Sequence, residues 1–350
     1  MLNVGVVGVG SISQFHIDAY LNNPEVNLVA FCDINESRLK EKARKLGVSK
    51  TFTNYQDLLN DATIDAISIC TWNNTHAEIA KQALLKGKHV LVEKPLSMDV
   101  ATAEELVDVQ KQSGKVLQVG FVRRHAEKSK VVKSFVDNGG FGDFYYAKAS
   151  YLRRLGNPGG WFSDINKSGG GPLIDLGVHM VDLCWYLMGK PKPISVTGNT
   201  YKRLGNRSHI KNLSFYQASD YDPNVNDVED LANALIRFEN GASMFLETSF
   251  TLHASKDETK VTLFGDKGGV EVEPDLTFVT EENNTILNTV PQIDQDINDF
   301  GRNFQNQINH FVDCCLHGKE NIAPVQDGVA VMKILKAIYQ SAEENREIYL

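Results

Sequence analysis

Short apolar runs alternate with amphipathic stretches over the first third of the chain. Asn3 to Gly8, Val26 to Cys32, Thr51–Thr53, Ala66–Cys70, His89–Val92 and Val116–Val119 read as buried strands. Between them, helical spacing covers Ser11–Leu21, Glu36–Leu46, Tyr55–Leu59, Thr75–Lys86 and Asp99–Ser113. Strands that alternate with helices predict a doubly wound parallel α/β sheet. The period then changes. Phe144 to Arg153, Ile194 to Lys202, Leu231 to Phe238, Ala242 to Leu252 and Lys260 to Phe264 alternate and are rich in β-branched residues, as strands with one wet face do. Phe238-Glu239-Asn240-Gly241 reads as a hairpin turn. Helices near Asp296–His317 and Gln326–Glu344 close the chain, and the polar stretch Leu204 to Asn226 reads as a long loop, a candidate for substrate choice or a subunit contact.

One segment breaks the pattern. From Gly169 to Gly189 the chain is apolar on nearly every side of a helix. Pro172 suits the first turn, where its missing N–H costs nothing, and Gly189 suits the C-terminal stop. Yet Asp175, His179 and Asp182 fall at spacings of four and three, which puts them on one face. Buried polar groups are costly unless paired. Either Asp175 and His179 satisfy each other or the backbone, or they form an acid–base pair facing a pocket.

Gly8-Val9-Gly10-Ser11-Ile12-Ser13 follows the first strand at once. This is a dinucleotide fingerprint with Ser13 in the third glycine position. Gly8 permits the tight turn, Gly10 lets backbone approach a pyrophosphate, and the following helix offers N–H groups from Ser11 and Ile12. Alone the pattern is weak, because glycine turns also join strands to helices for structural reasons. Asp33 ends the second strand, where a carboxylate binds both hydroxyls of an adenosine ribose and repels a 2′-phosphate. That favours NAD over NADP, with Arg38 near enough to complicate the choice. The competing reading of Asp33 is a helix N-cap. Thr71, Trp72, Asn73 and His76, with Glu93 and Lys94, sit at the carboxyl ends of later strands, where such sheets bind ligands. Trp72 either packs on a nicotinamide or caps the core, and Lys94 is otherwise a surface lysine.

Composition narrows the classes. The chain has 350 residues, enough for two domains, and 42% of them are hydrophobic. A net charge of −8 argues against nucleic acid or an anionic membrane as partner. No apolar run is long enough to span a bilayer, and no signal peptide is expected. The five cysteines form no Cys-x-x-Cys pair and sit mostly in apolar runs, as reduced core residues of a cytoplasmic protein do.

Glu93-Lys94-Pro95, the Gly8 fingerprint, Gly120-Phe121-Val122-Arg123-Arg124, the Gly169–Gly189 segment and Asp175-x-Gly177-x-His179 together resemble the glucose–fructose oxidoreductase/inositol dehydrogenase (Gfo/Idh/MocA) family across essentially the whole chain. The resemblance implies an N-terminal Rossmann domain over residues 1–121. It also implies a second α+β domain over 122–350, built on an open-faced, predominantly antiparallel sheet with helices, whose last helix is a candidate to pack back on the first domain. It further implies a cis Lys94–Pro95 peptide and a homo-oligomer, dimer or tetramer, formed through the open sheet.

Hydride transfer needs an oriented nicotinamide, a base for the alcohol proton and a charge beside the forming oxyanion. His179 suits the base, since its ordinary pKa lies near neutrality. Asp175 can hold the imidazole or contact substrate, and Lys94 can polarise the substrate hydroxyl; the matching residues of the resembling family have these roles. All three are expected to converge on one pocket between the domains. Arg123 and Trp161 are substrate-contact candidates with equal structural readings. A metal at Asp175 and His179 is not expected, because no third ligand announces itself and Lys94 would repel a cation. The expected activity is NAD-dependent oxidation of a sugar, inositol or related polyol. The alternatives are a glycosidase or eliminase using transient hydride transfer, and a non-catalytic dinucleotide-sensing protein.

Overall fold

The computed structural model describes every residue except 219, 223 and 295–298. In chain order the elements are β1 (Leu2–Val7), α1 (Ser13–Leu21), β2 (Val26–Cys32), α2 (Glu36–Leu46), β3 (Lys50–Phe52), α3 (Tyr55–Asn60), β4 (Ala66–Ile69), α4 (Asn73–Leu85), β5 (His89–Val92), α5 (Val100–Ser113) and β6 (Leu117–Val119). There follow α6 (Glu127–Asp137), β7 (Phe144–Leu152), α7 (Ile165–Ser168), α8 (Val178–Leu187), β8 (Pro193–Tyr201), β9 (Leu231–Phe238) and β10 (Ser243–Ser249). The chain ends with β11 (Glu258–Gly265), β12 (Gly268–Glu273), β13 (Thr277–Glu282), β14 (Thr285–Thr289), α9 (Phe300–His317), α10 (Val325–Glu344) and β15 (Ile348–Tyr349). It divides into two compact units: Met1–Ala126 with Asn298–Met332, and Glu127–Ile297 with Lys333–Leu350. The first unit thus runs past residue 121 and takes back a later segment. The expected start of the penultimate helix at Asp296 lies outside the described residues.

The first unit is built on a six-stranded parallel sheet in the order β3-β2-β1-β4-β5-β6. Its central strands are buried on both faces, which is why they read as continuous apolar runs. The strand order reverses between β1 and β4, and in such sheets the crevice beyond the carboxyl ends at that point takes the ligand. α9 packs on α1, adding Ile308, Phe311 and Val312 to the core around Val4, Val6, Ile17 and Phe31. Arg124 is fully buried and donates to the carboxylate of Asp327 and the carbonyl of Ile322, which ties the end of β6 to the start of α10.

The second unit carries a nine-stranded sheet, β14-β13-β12-β11-β7-β10-β9-β8-β15. β7 and β10 run parallel and the other pairs antiparallel, so the sheet is predominantly antiparallel. Burial alternates along β9 and β10: Ala232, Ala234, Ile236, Met244 and Leu246 face inward, and α8 packs on β7, β10 and β11. The other face leaves Leu235, Phe245 and Tyr146 partly exposed, and Tyr146 stacks on Phe264 at 5.5 Å. Residues 204–226 form no helix or strand among those described. Among the described residues no helix is long and apolar enough to cross a membrane, and all five cysteines are unpaired.

Candidate active site

In the first unit the glycine turn is shaped for a close-lying ligand. Gly8 has φ +86°, and a Cβ there would meet the Cys70 carbonyl oxygen at 2.6 Å, so the fold itself demands glycine. Gly10 is different: a Cβ there would meet nothing within 4 Å. The fold leaves that space open, and a side chain would fill room that a pyrophosphate needs. Ser13, buried, donates from Oγ to the Gly10 carbonyl at 2.6 Å and holds the turn. Ser11 is exposed beside it, and α1 begins after Ile12 with no side-chain cap on its first N–H groups. An uncapped helix N-terminus facing an open backbone cradle fits a dinucleotide.

Asp33 is not a helix cap. Asn35 fills that position, accepting from Arg38 N–H at 3.0 Å. Asp33 instead accepts the Val9 N–H at 2.9 Å through Oδ2, locking the end of β2 to the glycine turn. Its Oδ1 accepts from the Asn35 N–H at 2.8 Å and from Arg38 at 2.9 Å. The carboxylate therefore lies at the end of β2, beside the glycine turn, with Arg38 against it.

At the ends of β4 and β5 the expected residues divide into two kinds. Thr71 and Trp72 are partly exposed ahead of α4, and Asn73 is buried as its first residue. His76 is fully turned inward: Nδ1 lies 2.8 Å from the Pro95 carbonyl oxygen and Nε2 lies 3.1 Å from that of Thr71. Burial lowers its pKa below 6.5, and with a carbonyl oxygen facing each ring nitrogen the side chain lies between the two loops instead of reaching out to a ligand. Glu93 is also buried and accepts from His16 at 2.8 Å. From Val90 to Ser97, Lys94 alone is not buried, and the Lys94–Pro95 peptide is cis, as the resemblance implied. Arg123 is partly exposed in a single 3₁₀ turn after β6, next to the buried Arg124.

In the second unit the apolar helix of the sequence is two pieces. Leu173–Gly177 is a π-helical turn, and Val178–Leu187 is α-helix. The Val178 N–H reaches back to the Leu173 carbonyl, five residues away, so the regular four-residue stacking assumed for Asp175 and His179 does not hold across the junction. The burial pattern is decisive instead. From Gly171 to Met188 every residue is buried except Asp175 and His179. Asp182, expected on the same stripe, is buried. These two are partly exposed.

The segment is held from its start by residues that the sequence reading missed. Glu229 accepts the Gly171 N–H at 2.9 Å and the Leu173 N–H at 3.1 Å, and Tyr339 donates to the same carboxylate at 2.8 Å. The glycine lead-in is needed for this approach. A Cβ on Gly170 would lie 2.0 Å from the Tyr339 hydroxyl, and one on Gly171 would lie 2.4 Å from the Glu229 carbonyl. Trp161 is partly exposed and lies 3.9 Å from the ring centroid of Phe162. The 204–226 loop closes on this turn: Ala218 N–H donates to the Pro158 carbonyl at 2.8 Å, and Phe162 meets Tyr216 edge-on at 6.3 Å. Among the described residues one cluster has metal-ligand spacing, Glu25, Asp313 and His317 in the first unit, where Lys319 pairs with Asp313 at 3.0 Å.

Comparison with known proteins agrees with this architecture. The model of an oxidoreductase family NAD-binding Rossmann fold (GFO_IDH_MocA) matches residues 2–121, and that of the same family's C-terminal alpha/beta domain matches residues 133–350. A D-glucoside 3-dehydrogenase of Escherichia coli K12 is 33% identical over 100% of this chain and 97% of its own. A myo-inositol 2-dehydrogenase of Thermotoga maritima is 25% identical over 100% of this chain and 98% of its own. The crystal structure of an oxidoreductase domain protein from Kribbella flavida superposes with a TM-score of 0.87 at 26% identity, covering 99% of this chain and 98% of that one.

Proposed function

The chain belongs to the Gfo/Idh/MocA oxidoreductase family, and from that premise we propose how its own residues carry out NAD-dependent oxidation of a sugar or polyol CH–OH group. The observation that carries the reading is the opening of Asp175 and His179, alone, in an otherwise buried segment. Bound NAD supplies the hydride acceptor. His179 takes the hydroxyl proton, since an imidazole titrates near neutral pH. Asp175 orients the ring and stabilises its protonated form. Lys94 donates to the substrate oxygen and stabilises the alkoxide as it forms. Gly8, Gly10, Ser11, Ile12 and Asp33 hold the dinucleotide; Thr71, Trp72 and Asn73 border it. Arg123 and Trp161 contact the substrate.

The full-length likeness to a D-glucoside 3-dehydrogenase supports a pyranoside as substrate, oxidised at a ring hydroxyl. The partly exposed Leu235, Phe245, Tyr146 and Phe264 on the outer sheet face support a homo-oligomer, because burying apolar surface removes its cost in water. Unpaired cysteines support a reducing, cytoplasmic setting. Single variants test the roles. His179→Ala and Lys94→Ala each lower kcat by about 10²–10⁴-fold, with calorimetric NAD affinity little changed. Full activity in either variant refutes the assigned role.

A further inference from the structure

We propose that His16 and Glu93 form a buried positioning pair that sets the backbone of Lys94, an inference that rests on the catalytic role read for that lysine. His16 lies in α1, the helix whose N-terminus faces the dinucleotide cradle, and is completely buried. Its Nε2 donates to Glu93 Oε1 at 2.8 Å. The other oxygen of the same carboxylate, Oε2, accepts the backbone N–H of Lys94 at 3.2 Å. On the far side of the ring, Nδ1 lies 3.2 Å from Ser68 Oγ, which is 2.7 Å from the Tyr20 hydroxyl. Phe304 of α9 packs against the imidazole with ring centroids 5.4 Å apart.

The arrangement leaves Glu93 little freedom. Gly120 closes the carboxylate from behind: a Cβ there would stand 3.0 Å from Oε1. One oxygen is spent on a ring fixed in the core, so the other is aimed at the first peptide of the Lys94 segment. The same segment is gripped a residue later, where the Pro95 carbonyl meets His76 at 2.8 Å. The Lys94 backbone is thus held on each side by a buried histidine, one from α1 and one from α4. A buried ion pair is a weak device for stability, since desolvation offsets most of its attraction. It is a strong device for fixing orientation, because a carboxylate with two defined partners has one conformation. Catalysis is sensitive to such placement, as small errors in the position of a reacting group cost rate steeply.

Residue-resolved amide hydrogen exchange on the cofactor-free protein tests the pair without any substrate. The Lys94 amide reports the Glu93 side chain, whereas the Glu93 amide, bonded to the Ile69 carbonyl at 3.0 Å, reports the sheet. In His16→Ala the Lys94 amide is expected to exchange at least about tenfold faster while the Glu93 amide stays within about twofold, a local opening and not a global one. His16→Gln, which keeps a donor, recovers part of the protection. Tyr20→Phe, at the other end of the same buried chain of contacts, leaves the Lys94 amide unchanged. In steady-state kinetics His16→Gln lowers kcat by about tenfold with the NAD dissociation constant within about threefold of wild type. Unchanged Lys94 exchange, equal acceleration of both amides, or unchanged kcat in the His16 variants would each overturn the inference. A fully active Lys94→Ala enzyme would instead remove the catalytic reading, and leave the exchange result to judge the pair alone.

Discussion

The hydroxyl of Tyr339 donates to the carboxylate of Glu229 at 2.8 Å, and that carboxylate caps the start of the segment bearing Asp175 and His179. Glu229 is buried and Tyr339 partly so, and the tyrosine's pKa is held well above its ordinary 10 by burial of the phenol and the neighbouring carboxylate, so it remains a donor. Glu229→Ala would strand two backbone N–H groups and a phenol. The expected result is a stability loss of about 1–3 kcal/mol for each buried group left unsatisfied, together with a fall in kcat as the π-turn loosens. Thermal melting and steady-state kinetics check it; wild-type values for both would contradict the capping role.

Gly8 and Gly10 separate folding from binding. Gly8→Ala forces a methyl to 2.6 Å from the Cys70 carbonyl oxygen at a φ of +86°. It should destabilise the first unit by about 1–3 kcal/mol through backbone strain alone. Gly10→Ala meets no protein atom within 4 Å and should melt like wild type. Its NAD dissociation constant should nevertheless rise by about tenfold or more, because the methyl takes the pyrophosphate's place. Equal effects of the two variants on melting would contradict this division.

Asp33 and Arg38, the pair proposed to set cofactor choice, lie 2.9 Å apart. The carboxylate repels a 2′-phosphate, and the wild-type protein should bind NAD more tightly than NADP. Asp33→Ala removes the repulsion and releases an arginine whose Nε is buried without a partner. NADP affinity should then rise and NAD affinity fall. Calorimetry giving equal wild-type affinities would count against the assignment.

Stability should fall on the alkaline side. Burial lowers the pKa of His16, but Cys70 and Glu93 outweigh it and raise the imidazole from 6.5 to about 10. Burial also raises the Cys70 thiol above its ordinary 9, and Ser68 and Phe304 are the uncharged neighbours of the ring. A group with a raised folded-state pKa contributes stability that is complete below its unfolded pKa near 6.5 and is lost as pH climbs through about 10. Melting temperature should therefore decline between these values in wild type and decline less in His16→Gln. Parallel curves for the two proteins would show that His16 does not titrate this way.

Much of this was legible from residue order, for physical reasons that also mark its limits. Buried parallel strands announce themselves as continuous apolar runs, and Gly8 is imposed by local backbone geometry. The strands β12 to β14 escaped notice because Gly268, Gly269, Glu281 and Glu282 spoil their alternation. The helix α6 escaped for a related reason: Lys128, Lys130 and Lys133 crowd its short apolar stripe. The π-turn at Leu173–Gly177 has no signature in composition; packing at Gly177, where a Cβ would lie 3.0 Å from the Leu173 side chain, accompanies it. Glu229 and His16 act on partners far away in the chain, and no local pattern points to such pairs. His76 was placed at the right strand end, but its inward orientation comes from the Pro95 and Thr71 carbonyls.

The central claim is the reaction itself, and absorbance at 340 nm tests it most directly. Purified protein is incubated with NAD and, one at a time, with D-glucosides, free aldoses, sugar acids and inositols. The account predicts NADH formation with at least one pyranoside or polyol, weaker reduction of NADP, and loss of the signal in His179→Ala. No NADH from any member of the panel, with NAD binding intact by calorimetry, would contradict it.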